Sequence, residues 1–377
     1  MSITPICGVR DHAALQAKAL GEQGVACSMH WLQRTDPSLR GGRAQIRAWT
    51  RALPGELRAD ELDAVLLHYS VFSFSHRGLP VFVPGVLAAL GRTGLPLVSL
   101  LHEFVYPWRR AGVHGAVWAA TQRALLIEVM RASSAVVVTM SWRAEWLASR
   151  AWLPTRRVVV APVFSNLPPA TAAVSEHAAP APAASGPAIR PVVGLFGYAY
   201  EGHVVALVID AMRLLERAGA GAQLLLIGAP GPDSPLARKW LAHAREAGLE
   251  HMPELSGVLS PQELSDRLAS CDVLLSAEPS GPTSRRTTLA ASLASGRPLV
   301  ALDGRRSWAE LVQAQAALVV PATARGLADG LASMLSDADA GARQGERGRA
   351  FAARTMTPAR NAAVIAGLLD ELLSARS

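Results

Sequence analysis

Short aliphatic runs alternate with amphipathic stretches along nearly the whole chain, and this alternation leaves few folds open. The first half reads ITPIC, DHAALQAKALGEQG, VACSMH, then LDAVLLHY, PGVLAALGRTG, LPLVSLL, GAVWAATQRALLIEVMRA, SAVVVTM, SWRAEWLAS and RVVVAPV. Runs of four to eight β-branched or aliphatic residues without polar alternation suit strands buried on both faces. Helical patterns between them supply the crossovers that parallel strands require. The second half repeats the scheme with PVVGLFG, VVALVIDAMRLLERAG, AQLLLIG, SPLARKWLAHAREAG, PQELSDRLAS, CDVLLSA, RRTTLAASLASG and RPLVAL. Between the halves lies PPATAAVSEHAAPAPAASGPAI, rich in Ala, Pro and Ser and without apolar periodicity, which reads as a linker. The expected architecture is α/β, two tandem Rossmann-like domains over residues 1–168 and 191–377, with residues 169–190 as linker and a cleft between the domains. In such sheets ligands bind beyond the carboxyl ends of the strands.

At 377 residues, two domains also match the length, and 50% apolar content with 18% charge supports two cores. The longest apolar stretches, such as LPVFVPGVLAAL, are broken by Pro or Gly and are shorter than the roughly 18 residues of a membrane span. MSITPICGVRDHAAL shows no basic segment followed by an apolar core, and Cys7, Cys27 and Cys271 are distant and odd in number. The expected compartment is a reducing cytoplasm. The net charge of +7 is lopsided: residues 1–168 carry 18 Lys+Arg against 10 Asp+Glu, and residues 191–377 carry 18 against 19. Trp108, Trp118, Trp142, Trp146 and Trp152 lie in one stretch with eight arginines from Arg109 to Arg157. That pattern fits core tryptophans, or peripheral contact with anionic headgroups at the inner membrane face. Dispersed arginines without a recognisable module give no reason to expect nucleic acid as a partner.

Several chemistries lack their residues. The chain has no G-x-x-x-x-G-K-[ST] loop, no G-x-S-x-G elbow, no H-E-x-x-H helix, no C-x-x-C pair and no G-x-G-x-x-G turn. The most informative segment is EPSGPTSRRTTLAASLASGRPLV, residues 278–300. It follows an apolar strand and leads into an Ala/Leu-rich helix for which Thr283 or Ser284 is the expected N-cap. Free N–H groups at a helix start attract anions, and Arg285 and Arg286 add two guanidinium forks for phosphate oxygens. Arginines are disfavoured beside a helix N-terminus, so two of them there call for an anion, and a diphosphate fits.

The order of segments resembles a GT-B glycosyltransferase of the retaining, family-four type over nearly the whole chain. GVRDHAALQAKAL, HYSVFSFSHRGLP, LLHEF and APVFSNLP are similar to successive stations of that family's N-terminal domain. GLFGYAYEGHVVALVIDAM, LLLIGAPG, LSGVLSPQELSDRLASCDVLLSAEPS and LAASLASGRPLVAL follow its nucleotide-sugar domain in order. There are departures. Tyr198 and Glu201 stand where the family commonly has a basic pair, and Thr283 and Ala291 stand where it has two glutamates eight apart. TSRRTT looks like a variant in which a serine precedes two arginines.

The resemblance implies transfer of a sugar from a nucleoside diphosphate to an acceptor hydroxyl, with the anomeric configuration retained and no metal or other cofactor. It makes Arg285 and Arg286 the groups that replace the missing cations, and places His102, at the end of LPLVSLL, beside the transferred sugar. By position alone His102 is equally a partly buried structural histidine. Gly197, Tyr198, Thr283, Ser284 and Thr287 become donor contacts; Gly8, Asp11 and Glu103 become acceptor contacts, with Asp11 also a candidate helix cap. Ser165 and Asn166 read as turn residues. The positive excess of residues 1–168 suggests an acceptor that is lipid-linked or anionic, and the resemblance implies that the last helix packs back on the N-terminal domain. Two rivals remain from the sequence: an epimerase acting on a nucleotide sugar, and a scaffold of the same fold without chemistry.

Overall fold

A computed structural model describes residues 1, 7–105, 107–108, 112–171 and 190–375. The chain divides into two compact units, residues 1–162 with 358–377, and residues 163–357. The expected strand ITPIC, apart from Cys7, and most of the linker expected over 169–190 lie outside the described residues.

The first unit contains α1 (Gly8–Gly21), α2 (Leu39–Ala59), β1 (Val65–Ser70), α3 (Val83–Gly91), β2 (Leu97–Glu103), α4 (Gly112–Ala132), β3 (Ala135–Val138), α5 (Ser141–Ala148) and β4 (Arg157–Val160). Its four strands form a parallel sheet in sequence order, β1-β2-β3-β4. AVVV of β3 is buried throughout, which is why it reads as an unbroken apolar run. VACSMH, expected as a strand, is irregular and largely exposed. Val25 and Met29 are its only large apolar residues, too few to fill the faces of a buried strand.

The second unit contains β5 (Val192–Phe196), α6 (Gly202–Arg217), β6 (Gln223–Ile227), α7 (Pro235–Glu246), β7 (Glu254–Leu255), α8 (Pro261–Ala269), β8 (Val273–Ser276), α9 (Thr287–Ala294), β9 (Leu299–Leu302), α10 (Ala309–Gln313), β10 (Leu318–Val320), α11 (Ala324–Ser336) and α12 (Ala338–Thr355). Its six parallel strands run β10-β9-β8-β5-β6-β7. The order reverses between β5 and β8, so the turns after those two strands flank the topological switch point where such sheets take ligands. Sequence chemistry sets the helices locally. In α8 Ser260 and Glu263 form a reciprocal capping box, and α6 buries Val204, Val205, Val208, Ile209, Ala211, Met212 and Leu215 along one face.

The final helix, α13 (Pro358–Ser374), returns to the first unit and packs on α1. Its Ala362, Ile365, Leu368 and Leu369 join Ala19, Leu20, Val98, Leu100 and Val137 in one buried cluster. Gln16 Nε2 donates to Asn361 Oδ1 at 2.5 Å and Asn361 Nδ2 donates to the Pro162 carbonyl at 2.8 Å, so the Asn361 amide is satisfied on both sides at this seam.

Candidate active site

In the second unit the turn after β5 is built around Gly197, whose φ of +91° is strained for any side chain. A Cβ there would also lie 3.3 Å from Thr288 Cγ2, so the turn lies close against the start of α9. Tyr198 is half-buried, and its carbonyl accepts from Trp240 Nε1 at 2.8 Å, which anchors the turn to α7. Tyr200 bonds to the backbone of Ala277 at the end of β8, and burial pushes its phenol above the usual range despite the Arg286 charge nearby.

The loop after β8 is pinned to the loop after β9. Gly281 has φ +91°, and its Cα lies against Ser307 on the loop after β9, while a Cβ on Gly304 would fall 2.2 Å from the Ser280 carbonyl carbon. Arg306 N donates to Ser280 O and Trp308 N donates to Pro282 O, each at 2.9 Å. Two loops thus interlock through backbone, with glycine where they cross. Thr283 and Ser284 are buried, and the Ser284 carbonyl accepts from Val163 N at 2.9 Å.

Neither Thr283 nor Ser284 caps α9. The N-cap is Arg286, and no side chain bonds the first turn. A tight turn, Arg286 N to Thr283 O at 3.3 Å, inserts three residues between Thr283 and the helix and two after Ser284. Thr283 Oγ1 is buried without a partner, Thr287 is exposed at the first helical position, and Arg285 and Arg286 are partly buried beside them. Arg286 Nη2 is paired with Glu278 Oε2, and Ser280 Oγ donates to Glu278 Oε1 at 3.1 Å. Arg286 thus has a carboxylate partner within its own loop. Ala291 is buried among apolar neighbours, and Glu201 precedes α6 without capping it.

In the first unit His102 and Glu103 end β2. Glu103 Oε2 accepts from Arg143 Nη2 at 2.9 Å. The same guanidinium donates to the Leu101 carbonyl at 3.2 Å and to the His102 carbonyl, and lies 5.1 Å over the Phe104 ring. Arg143, buried on α5, thereby fixes the end of β2. His102 Nε2 lies 3.1 Å from His68 Nδ1 on β1, and His12 of α1 stands edge-on to both rings. Burial holds all three imidazoles below the usual histidine range, His12 at about 4 and His68 at about 3, and their mutual proximity depresses His68 and His102 further. All three are neutral near pH 7.

Gly8 is the first residue of α1 rather than part of the preceding turn, and a Cβ there would meet nothing within 4 Å. Asp11 is exposed in the first helical turn and is not the cap; that position is Cys7, without a side-chain bond. Ser165 Oγ accepts from Leu167 N at 3.0 Å, which shapes a turn. The aromatic stretch divides: Trp118 packs on Gly78, and Trp146 packs between Phe104 and Trp152. Trp108 is 53% exposed, with Arg123 at 4.4 Å over its ring.

His12, His68, Arg143 and Glu278 were not singled out from the sequence. An isolated histidine in a helix or strand carries no local signal, and Arg143 is one arginine among many. Glu278 was legible only as the first residue of a loop whose fold decides its partner.

Residues 190–337 match the family of glycosyl transferases group 1. No curated protein matches the chain in sequence. Among solved structures, the chain is similar to sucrose-phosphate synthase of Thermosynechococcus elongatus, at TM-score 0.67 and 15% identity over 98% of this chain and 94% of that one. A glycosyltransferase of Rickettsia africae gives 0.65 and 12% over 97% and 94%. HepE of Anabaena, solved with UDP and glucose, gives 0.63 and 15% over 98% of each chain. At such identities these likenesses speak for the fold alone. Residues 190–337 thus match the glycosyl transferases group 1 model, and the chain as a whole has the GT-B fold of the solved structures it is similar to.

Proposed function

We propose that the protein transfers a sugar from a nucleoside-diphosphate sugar to an acceptor hydroxyl with retention of the anomeric configuration. The observation that carries this reading is the start of α9. It lies beside the switch point, has no side-chain cap, and is flanked by Arg285, Arg286 and the unpartnered Thr283 hydroxyl. Helix N–H groups, two guanidinium groups and a hydroxyl donor suit a diphosphate. They also stabilise it as it departs, which is where charge develops in the transition state. In the proposed step the bond from the anomeric carbon to the diphosphate oxygen breaks and the acceptor oxygen bonds to the same face. The acceptor proton passes to the leaving diphosphate. On this reading arginine and backbone supply the charge without a divalent ion, and no carboxylate nucleophile is needed.

Gly197, Tyr198, Ser284 and Thr287 shape the donor site. In the first unit the neutral His102 is a contact to the transferred sugar, and Gly8, Asp11 and Glu103 border the acceptor. The acceptor is anionic or lipid-linked on this reading, supported by the positive excess of the first unit.

A thermal-shift panel of UDP, GDP, dTDP and ADP, with and without magnesium, tests the donor site. At a ligand concentration 100 times Kd, binding adds about 2.7 kcal/mol, or a shift of about 5 °C or more for a unit of this size. One diphosphate is expected to give such a shift without metal, and Arg285→Ala/Arg286→Ala is expected to abolish it. If none of the four stabilises the protein, the scaffold reading replaces this one. Product formation without an acceptor would point instead to an epimerase.

A further inference from the structure

Three histidines converge in the first unit, and the proposed reaction uses only one of them. His68 and His102 lie on the adjacent strands β1 and β2, with ring centroids 5.3 Å apart and planes within 25°. His12 approaches from α1, its centroid 5.5 Å from His102 and 6.1 Å from His68. The strand pairing explains how the first two meet. Tyr69 pairs with Leu101 and Ser70 with Glu103, so His102 is the extra residue of a bulge. A bulge re-aims a side chain that regular pleating would direct elsewhere. Here it leaves His102 Nε2 at 3.1 Å from His68 Nδ1.

Two imidazole nitrogens at that distance need one proton between them. Two N–H groups would collide, and two lone pairs would repel. The protonation states of the two rings are therefore tied together. A neutral imidazole ordinarily carries its proton on Nε2. If His102 donates from Nε2 to Nδ1 of His68, both rings keep that ordinary form, and the unprotonated Nδ1 of His102 remains for a ligand. The opposite direction would force the less common tautomer on both rings. Arg143 completes the frame from α5 by gripping the His102 carbonyl and the Glu103 carboxylate.

We infer that His68 is a positioning residue for His102: by accepting the Nε2 proton it fixes one tautomer of His102, which then offers Nδ1 as an acceptor to a hydroxyl of the bound sugar. The inference rests on the reading that His102 touches the sugar.

The test uses the full chain labelled with nitrogen-15. Long-range imidazole spectra report which nitrogen of each ring is protonated, and a nitrogen–nitrogen coupling across the hydrogen bond reports the pair directly; His102→Gln assigns the signals. The wild type is expected to show the coupling, with His102 protonated on Nε2 near pH 7. In His68→Phe, which keeps an aromatic ring of similar size, the coupling disappears and His102 becomes a mixture of tautomers. With the nucleotide sugar that gives nucleoside-diphosphate release in the wild type, His68→Phe is expected to lower kcat about tenfold with little change in KM. A wild type without the coupling, or with His102 protonated on Nδ1, overturns the inference even if the variant does not fold. A normal kcat in a folded His68→Phe overturns the positioning role and leaves the sugar contact standing. Normal turnover in His102→Gln instead removes the sugar contact, and the inference with it.

Discussion

At the scale of single residues, the site chemistry depends on groups whose meaning comes from their neighbours. His12, His68 and His102 are ordinary histidines in the sequence. In the fold they converge beside the buried Arg143, and there they stay uncharged near pH 7. This has a consequence for stability. The unfolded chain takes up protons at these imidazoles near 6.5, whereas the folded chain holds His12 at about 4 and His68 at about 3. Below 6.5 the unfolded state binds more protons, so stability falls with pH down to about 4, by up to roughly 1.4 kcal/mol per pH unit for each such imidazole. Urea unfolding across that window is expected to show the loss, and His12→Phe is expected to make it shallower. An unchanged pH slope in the variant would show that His12 is not held neutral. The arginine pair was legible from position and charge, but its counter-ion was not. That Arg286 pairs with Glu278 depends on how the intervening loop closes, and a spacing of eight residues does not specify it.

At the scale of elements, the patterns that the sequence carries most strongly are those with short-range causes. Unbroken aliphatic runs became buried parallel strands, and Ser260 with Glu263 began a helix through bonds that span three residues. The expected cap at Thr283 or Ser284 failed because a turn intervened, and the turn is imposed from outside by the loop after β9. The crossing of the two loops admits no side chain at Gly304, where a Cβ would lie 2.2 Å from backbone. Gly304→Ala must therefore displace residues 280–282. The expected outcome is a loss of about 2 kcal/mol or more in stability, with diphosphate binding weakened although no arginine has changed. Calorimetric binding of the diphosphate chosen by the thermal panel, together with urea unfolding, measures both. Unaltered affinity would mean that the interlock does not set the donor loop.

At the scale of the whole molecule, charge is distributed unevenly, and the fold leaves part of it unneutralised. Arg40, Arg43, Arg47, Arg51 and Arg58 lie along one exposed flank of α2, within an arc of about 80° at 3.6 residues per turn. Glu56 and Asp60, the acids nearest its end, are engaged by His30 at 3.2 and 3.0 Å. Arg43, Arg47 and Arg51 repel one another at successive steps of four, so an anionic surface laid against them relieves a real cost. The protein is expected to bind vesicles containing anionic phospholipid, with affinity falling as salt rises. Replacing Arg43, Arg47 and Arg51 by glutamine is expected to weaken binding by about 1 kcal/mol per arginine. Co-sedimentation at low and high salt decides it, and absence of binding to anionic vesicles removes membrane contact as a property of this face. No helix among the described residues is long and apolar enough to cross a membrane. By itself the sequence determined the fold class, the parallel sheets and the loop that carries the arginines, because periodicity, helix capping and strand burial act over a few residues. Only the tertiary structure decided that β5 and β8 are neighbours, and that three histidines far apart in the chain converge in one corner. Those outcomes come from strand order and packing between distant segments, where many sequence-compatible arrangements compete and burial of the whole core selects one.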